Sequence, residues 1–85
     1  MSPTADAAAR DLVRDALARV APGPDLDALA DTDDVRDVLE LDSLDFLRFV
    51  EHLVAVSGVR VDEDDYPQLR TVADAGAFLA AAGAV

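Results

Sequence analysis

The apolar residues between Ser43 and Ala55 restrict the possible folds of this chain more than any other feature. One set of them recurs at positions i, i+3, i+4 and i+7, and it consists of Phe46, Phe49, Val50 and Leu53. This spacing places the side chains on one face of an α-helix, whereas a strand would divide them between two faces. The sequence therefore predicts an amphipathic helix here, with its apolar face in a hydrophobic core.

The first of two further helices is predicted from about Thr4 to Val20, where apolar residues again follow the helical period. Ser2-Pro3 or Thr4 is expected to cap its start. The segment "APGPD" at 21–25 ends it, because two prolines and a glycine interrupt the ladder of backbone hydrogen bonds.

A long connection is expected over residues 22–42. Its scattered apolar residues predict contact with the core, and they are Leu26, Leu29, Val35, Val38 and Leu39. A structureless loop of ~20 residues is unusual inside a compact domain, so we expect one helical turn within it, at about 35–39. Asp33 or Asp34 would cap that turn.

The rest of the chain predicts one short helix and one long helix. After "SG" at 57–58 the chain is expected to run extended, and residues 62–66 to form a capped turn that Pro67 stops. Thr71 and Asp74 resemble a capping box at the start of the last helix, and Gly83 is a stop signal. We therefore predict an all-α fold, a four-helix bundle with three main helices, one short third helix and a long first loop.

Length and charge limit the class of partner. The chain has 85 residues, which suits a single domain over 1–85, and 18 acidic residues against 7 basic ones give a net charge of −11. Such a charge repels nucleic acid and anionic membranes, and it favours basic protein surfaces as partners. The sequence has no cysteine, no signal peptide and no membrane-spanning run, so we expect a cytoplasmic protein, and a monomer.

A hydrolytic pair of Ser43 and His52 fails on geometry. Their separation along the predicted helix corresponds to ~900° of rotation and ~13.5 Å of rise, which places the two side chains far apart on opposite sides. The aspartate runs "DTDD" at 31–34 and "DEDD" at 62–65 do not match the pattern of an EF-hand, so helix capping explains them better than a metal site does. Neither a catalytic residue nor a metal ligand is therefore predicted.

Ser43 taken alone fits a helix cap or a first-turn residue. The surrounding "LDSLDFLRFVEHL", however, resembles the phosphopantetheine attachment region of acyl carrier proteins, with Asp42 and Leu44 flanking Ser43 as in the D-S-L motif of that family. The later segment "GVRVDEDDYPQLRTVADAGAFL" resembles the family's extended segment, short third helix and entry to the last helix. The resemblance covers nearly the whole chain.

The resemblance implies that Ser43 bears a 4′-phosphopantetheine arm, transferred from coenzyme A by a phosphopantetheinyl transferase. The arm would supply the thiol that a chain without cysteine lacks. Further implied partners are an acyl- or aminoacyl-loading enzyme, an acyltransferase or a ketosynthase with a basic docking patch. The expected protein is a free-standing acyl carrier, with an excised domain of a larger synthase as the alternative.

Two departures from the family pattern bear on the pathway. Glu40-Leu41 stands where many members have a glycine before the motif, and Arg48 stands where acidic members keep a glutamate. The chain has no lysine and is rich in alanine, arginine, aspartate and valine, which suggests a GC-rich genome. These features favour polyketide or other specialised-metabolite biosynthesis over fatty acid biosynthesis. An aminoacyl or peptidyl carrier is an open alternative.

The predicted central helix carries a second apolar set on a different face, namely Leu44, Leu47 and Val54. In a carrier, Leu44 and Leu47 would face partner enzymes from within a polar rim. The rim residues are Asp45, Arg48 and Glu51. In a rival hypothesis the chain is a small acidic helical adaptor without a prosthetic group, which binds a basic partner through the apolar set and uses Ser43 only as a cap.

Overall fold

Six helical elements make up the part of the chain that the computed structural model describes, residues 3–84 for the backbone and 7–84 for the side chains. They are α1 (Pro3–Val20), α2 (Pro24–Asp27), α3 (Val35–Val38), α4 (Ser43–Ser57), a 3₁₀ helix (Glu63–Leu69) and α5 (Val72–Ala81). This part contains no strand, and the predicted all-α bundle is confirmed. The predicted cap of the first helix, Ser2-Pro3 or Thr4, lies outside the described side chains.

The core lies where α1 packs against both α4 and α5. All the residues predicted for the inner face of α4 are buried, and they are Phe46, Phe49, Val50 and Leu53. The buried residues of the other two helices are Ala9, Val13, Ala16 and Leu17 of α1 and Val72, Ala75, Gly76 and Leu79 of α5. The helical period in the sequence therefore identifies the inward face of α4 correctly.

The connection between α1 and α4 holds two helical turns, although the sequence predicted only one. The predicted turn is α3, and the carboxylate of Asp34 caps it by accepting hydrogen bonds from the N–H groups of Arg36 (2.9 Å) and Asp37 (3.3 Å). The missed turn is α2, which begins at Pro24. A proline can start a helix as well as end one, because its missing N–H would have no intrahelical acceptor in the first turn.

The connection is held on α1 by a cluster of two arginines and one aspartate. Asp31 accepts hydrogen bonds from Arg10 (3.0 Å) and Arg14 (2.6 Å), and Arg14 also donates to the carbonyl of Leu29 (2.8 Å). The hydrogen bond from Arg14 holds the pKa of Asp31 below its ordinary value, and burial opposes this effect without reversing it. The first aspartate run thus ties the loop to the bundle.

A second set of contacts holds the connection on the start of α5. Asp34 accepts a hydrogen bond from the Arg70 guanidinium, and the N–H of Val35 donates to the Arg70 carbonyl at 2.8 Å. The N–H of Ala73 donates to the Asp31 carbonyl at 2.9 Å. Burial raises the pKa of Asp34, but the hydrogen bonds from Arg70 and from the α3 cap outweigh burial and keep that pKa below its ordinary value.

The short third helix is a 3₁₀ helix that continues through Pro67 to Leu69, so the prediction that Pro67 stops it is wrong. The φ angle of proline lies within the range of a 3₁₀ helix, and such short segments tolerate the loss of one N–H. Burial of Leu69 stabilises the continuation. At the start of the segment the Asp65 carboxylate accepts a hydrogen bond from the N–H of Asp62 at 3.0 Å.

The ends of α4 and α5 follow local signals. α4 ends at Ser57, slightly beyond the predicted end, and Gly58 follows in the left-handed conformation with φ of 71°. At the start of α5 the Thr71 hydroxyl accepts a hydrogen bond from the N–H of Asp74 at 3.0 Å, as the sequence predicted. The helix ends before Gly83, which confirms the stop signal.

Candidate functional site

Ser43 is the first residue of α4, and it is exposed. The N-cap is the residue before it, because the Asp42 carboxylate accepts a hydrogen bond from the N–H of Asp45 at 2.8 Å. Of the two structural roles left open for Ser43, the cap is therefore wrong and the first-turn position is right. The Ser43 hydroxyl is exposed and has no hydrogen-bond partner among the described residues.

The start of α4 suits an anion bonded to the Ser43 oxygen. The first N–H groups of a helix have no intrahelical acceptors, and the helix dipole adds roughly half a positive charge there. Asp42 engages only the N–H of Asp45, so the N–H groups of Ser43 and Leu44 are left for another acceptor. A phosphate ester on Ser43 fits this environment, while the nearby carboxylates keep the surface around it negative.

The chain reaches Ser43 through a tight corner at the end of α3. The N–H of Leu39 donates to the Val35 carbonyl at 3.0 Å, and the N–H of Leu41 donates to the Arg36 carbonyl at 2.9 Å. Between them Glu40 adopts the left-handed conformation with φ of 54°. The left-handed residue and the hydrogen bond from Leu41 to Arg36 are those of a Schellman-type helix end, and buried Leu41 then fixes the position from which α4 starts.

His52 cannot act as a general base for Ser43 within α4. His52 lies on the same helix at the separation that the sequence indicated, so the rotation and rise of an α-helix keep it away from the Ser43 hydroxyl. No group of three or more His, Cys, Asp and Glu side chains within the described residues could hold a metal ion. The structure thus shows Ser43 as an exposed residue at the start of α4, with His52 too far along the helix to pair with it.

The outer face of α4 exposes large apolar side chains next to Ser43. Leu44 is 58% exposed and Leu47 is 41% exposed, as expected for residues directed away from the core. The polar residues around them are Asp45, Arg48 and Glu51. Val54 departs from the prediction, because it is half-buried and packs against the core. The apolar set proposed for an adaptor therefore loses its third member.

Sequence reasoning missed two features at this end of the molecule. Val38 was expected in the core but is 39% exposed at the end of α3, because Val35 already fills the inward position of that single turn. The Arg36 guanidinium lies 5.3 Å from the centre of the Phe46 ring. The Phe46 and Tyr66 rings pack in a T-shaped arrangement, with 5.7 Å between their centroids. The spacing of residues within one helix does not predict which residues of other helices they contact.

The family model described as "Phosphopantetheine attachment site" matches residues 10–79, a range that includes Ser43 and the whole outer face of α4. Neither the curated proteins nor the solved structures yielded a match. No helix among the described residues is long and apolar enough to cross a lipid bilayer.

Proposed function

This chain belongs to the phosphopantetheine attachment site family, and on that premise we propose that Ser43 carries the family's 4′-phosphopantetheine arm. Proteins of this family are carriers and not enzymes, and the arm provides the thiol that holds the cargo as a thioester. The observation that supports Ser43 is its position. It is the exposed first residue of α4, inside the matched range, with a hydroxyl that forms no hydrogen bond with any described residue.

The residues next to Ser43 would prepare it for modification. Asp42 caps α4 and so makes Ser43, rather than a later residue, the start of the helix. The free N–H groups of the first turn would accommodate the phosphodiester. Exposed Leu44 would lie beside the point of attachment. Because the Ser43 oxygen needs activation from outside, the transferase has to supply the base.

The outer face of α4 is proposed as the docking surface for partner enzymes. Leu44 and Leu47 would form its apolar centre. Asp45, Arg48 and Glu51 would form its polar rim. Carrier proteins in general interact with phosphopantetheinyl transferases and acyl-handling enzymes. A chain with a net charge of −11 would be guided to such enzymes by basic docking patches, through long-range attraction that salt weakens.

We further propose that the cargo is an acyl intermediate of polyketide or other specialised-metabolite biosynthesis, handled in the cytoplasm by a monomeric carrier. Arg48 supports this proposal, because a cation on the docking surface suits a partner that does not offer a uniformly basic patch. Fatty acid biosynthesis and an aminoacyl or peptidyl cargo are the competing assignments. The mass of the chain isolated from its own producer would identify the cargo.

Modification in vitro tests the attachment site. The chain is incubated with coenzyme A and a broad-specificity phosphopantetheinyl transferase, and intact-mass spectrometry counts the added groups. We expect one group on the wild type, none on Ser43→Ala, and an unchanged helical circular dichroism signal in that variant. Ser57→Ala is the matched control, because the Ser57 hydroxyl already donates to the Leu53 carbonyl at 2.7 Å and should not be the acceptor. A group retained on Ser43→Ala would refute the assignment.

Transfer assays test the docking surface. Arg48→Glu is expected to improve encounter with enzymes whose docking patch is strongly basic, and to slow transfer with an enzyme that places an acid opposite Arg48. Leu47→Ala is expected to slow transfer with every partner, since it removes apolar contact area. Equal transfer rates for the wild type and both variants with several partners would contradict docking through the outer face of α4.

A further inference from the structure

Glu40 has a backbone conformation that glutamate rarely adopts. Its φ of 54° makes it the only non-glycine residue with positive φ in the described part of the chain, where the other three are Gly23, Gly58 and Gly83. It occupies the position just after the end of α3 in a Schellman motif, at which glycine is strongly preferred because Cβ is unfavourable there. A side chain at this position therefore strains the corner.

No contact of the Glu40 side chain offsets this strain. The residue is exposed, and its carboxylate forms neither a hydrogen bond nor an ion pair with any described residue. Its neighbours behave differently, since Leu41 is buried and Leu39 is half-buried against the core. Glycine would serve the fold better at this position, so the carboxylate has no role that the isolated chain reveals. A strained backbone conformation that no contact within the chain stabilises suggests that the residue acts in binding another molecule.

The position of Glu40 indicates that function. It lies on the α3 side of Ser43, only two residues before the Asp42 cap, together with Val38, which is 39% exposed. Leu44 and Leu47 are exposed on the α4 side. An enzyme whose active site encloses the Ser43 oxygen has to cover the chain on both sides of it. The corner is thus within reach of every enzyme that modifies Ser43, whereas a docking surface confined to α4 would omit it.

We infer that Glu40 is a recognition residue for the phosphopantetheinyl transferase, and that it pairs with a basic side chain at the rim of the transferase active site. The inference rests on the proposed role of Ser43. The chemistry of the partner supports it: coenzyme A carries several phosphate charges, and an enzyme that binds it needs cationic side chains around the reacting phosphate. A carboxylate beside the acceptor serine complements such a site.

Removing the single charge of Glu40 should have a moderate effect on the rate of modification. Two unit charges ~7 Å apart in water interact by an energy that corresponds to about a threefold change in an equilibrium or rate constant at low salt. Glu40→Gln should therefore lower kcat/KM for modification about threefold at low ionic strength, through KM and with kcat unchanged. The loss should vanish near 1 M salt, where the screening length is ~3 Å.

Two more variants separate recognition from structure. Glu40→Gly removes the carboxylate and the strain together, so it should slow modification as much as Glu40→Gln does while raising the melting temperature. Asp15→Asn neutralises an exposed acid of α1 and is the control for net charge, with an expected change of less than about 1.5-fold at the same salt concentration. A purely structural role would make stability and rate change in the same direction.

The rates are measured by intact-mass spectrometry at fixed times, with the broad-specificity transferase and coenzyme A as before. A second measurement on the Ser43→Ala background, which cannot react, gives the Kd for the transferase, and this Kd should rise about threefold with Glu40→Gln. Unchanged kcat/KM and Kd for Glu40→Gln at low salt, or a loss no larger than that of Asp15→Asn, would overturn the inference. A wild-type chain that accepts no group would instead refute the role of Ser43.

Discussion

Leu47 and Phe49 lie close together on α4 but in opposite environments, so their truncation tests how the helix is oriented. Phe49 is the largest fully buried side chain among the described residues, and its ring meets Phe46 at 5.8 Å between centroids. Phe49→Ala leaves a cavity in the core, and we expect a loss of ~3–5 kcal/mol in the free energy of unfolding. Leu47 is 41% exposed, so Leu47→Ala should cost about 1 kcal/mol.

Chemical denaturation measures this difference. The helical circular dichroism signal is followed in urea, where a domain of this size has an m-value of about 1 kcal/mol/M, so Phe49→Ala should lower the midpoint by about 3 M or more. A domain of this length is stable by roughly 4–13 kcal/mol, and Phe49→Ala alone can exhaust that margin. Phe49→Leu, with an expected loss of about 1–2 kcal/mol, keeps the measurement possible in that case.

The same variants distinguish residues that stabilise the core from residues that contact partner enzymes. Leu47→Ala should slow transfer of the arm or the cargo with little loss of stability, whereas Phe49→Leu should lower stability and leave transfer rates unchanged while the chain is folded. If Leu47→Ala destabilises the chain as much as Phe49→Ala does, the outward direction of Leu47 is wrong. The docking surface proposed for α4 would then lose its apolar centre.

Three further predictions concern the whole bundle. Asp31 and Asp34 have lowered pKa values in the folded chain, so the stability that they contribute is present above the unfolded pKa of ~3.9 and is lost as pH falls through the folded pKa values. The difference in free energy of unfolding between the wild type and Asp31→Asn, measured in urea from pH 6 to pH 3, should therefore shrink. Sodium chloride should raise the melting temperature, because it screens the repulsion among the acidic side chains of a chain with a net charge of −11. A melting temperature that does not change with salt would show that basic side chains already neutralise this repulsion. Gly76→Ala should lower the free energy of unfolding, measured in urea, by about 1–3 kcal/mol, because the added Cβ would lie 2.8 Å from Arg10 Cγ. An equal loss in an Arg10→Ala background would contradict this cause.

Local sequence patterns specify the long helices, the inward face of α4 and the position of Ser43 at its head. These features depend on interactions over a few residues. The helical period of α4 allows only one continuous apolar face for Phe46 and Phe49, and caps such as Thr71 with Asp74 form between residues three apart. The sequence supports the proposal for Ser43 because the motif and the predicted position at a helix start agree, and neither depends on distant contacts.

The arrangement of the connection before Ser43 depends on contacts between residues far apart in the sequence. Arg14 and Asp31 are separated by 17 residues, and Arg70 and Asp34 by 36, so no local pattern predicts that they meet. The same holds for Glu40, whose left-handed backbone is required by the corner between α3 and α4 and not by its own preference. Periodicity selects the inward face of a helix because burial there depends on spacing alone, whereas turns and ion pairs between elements depend on which elements the packed core brings together.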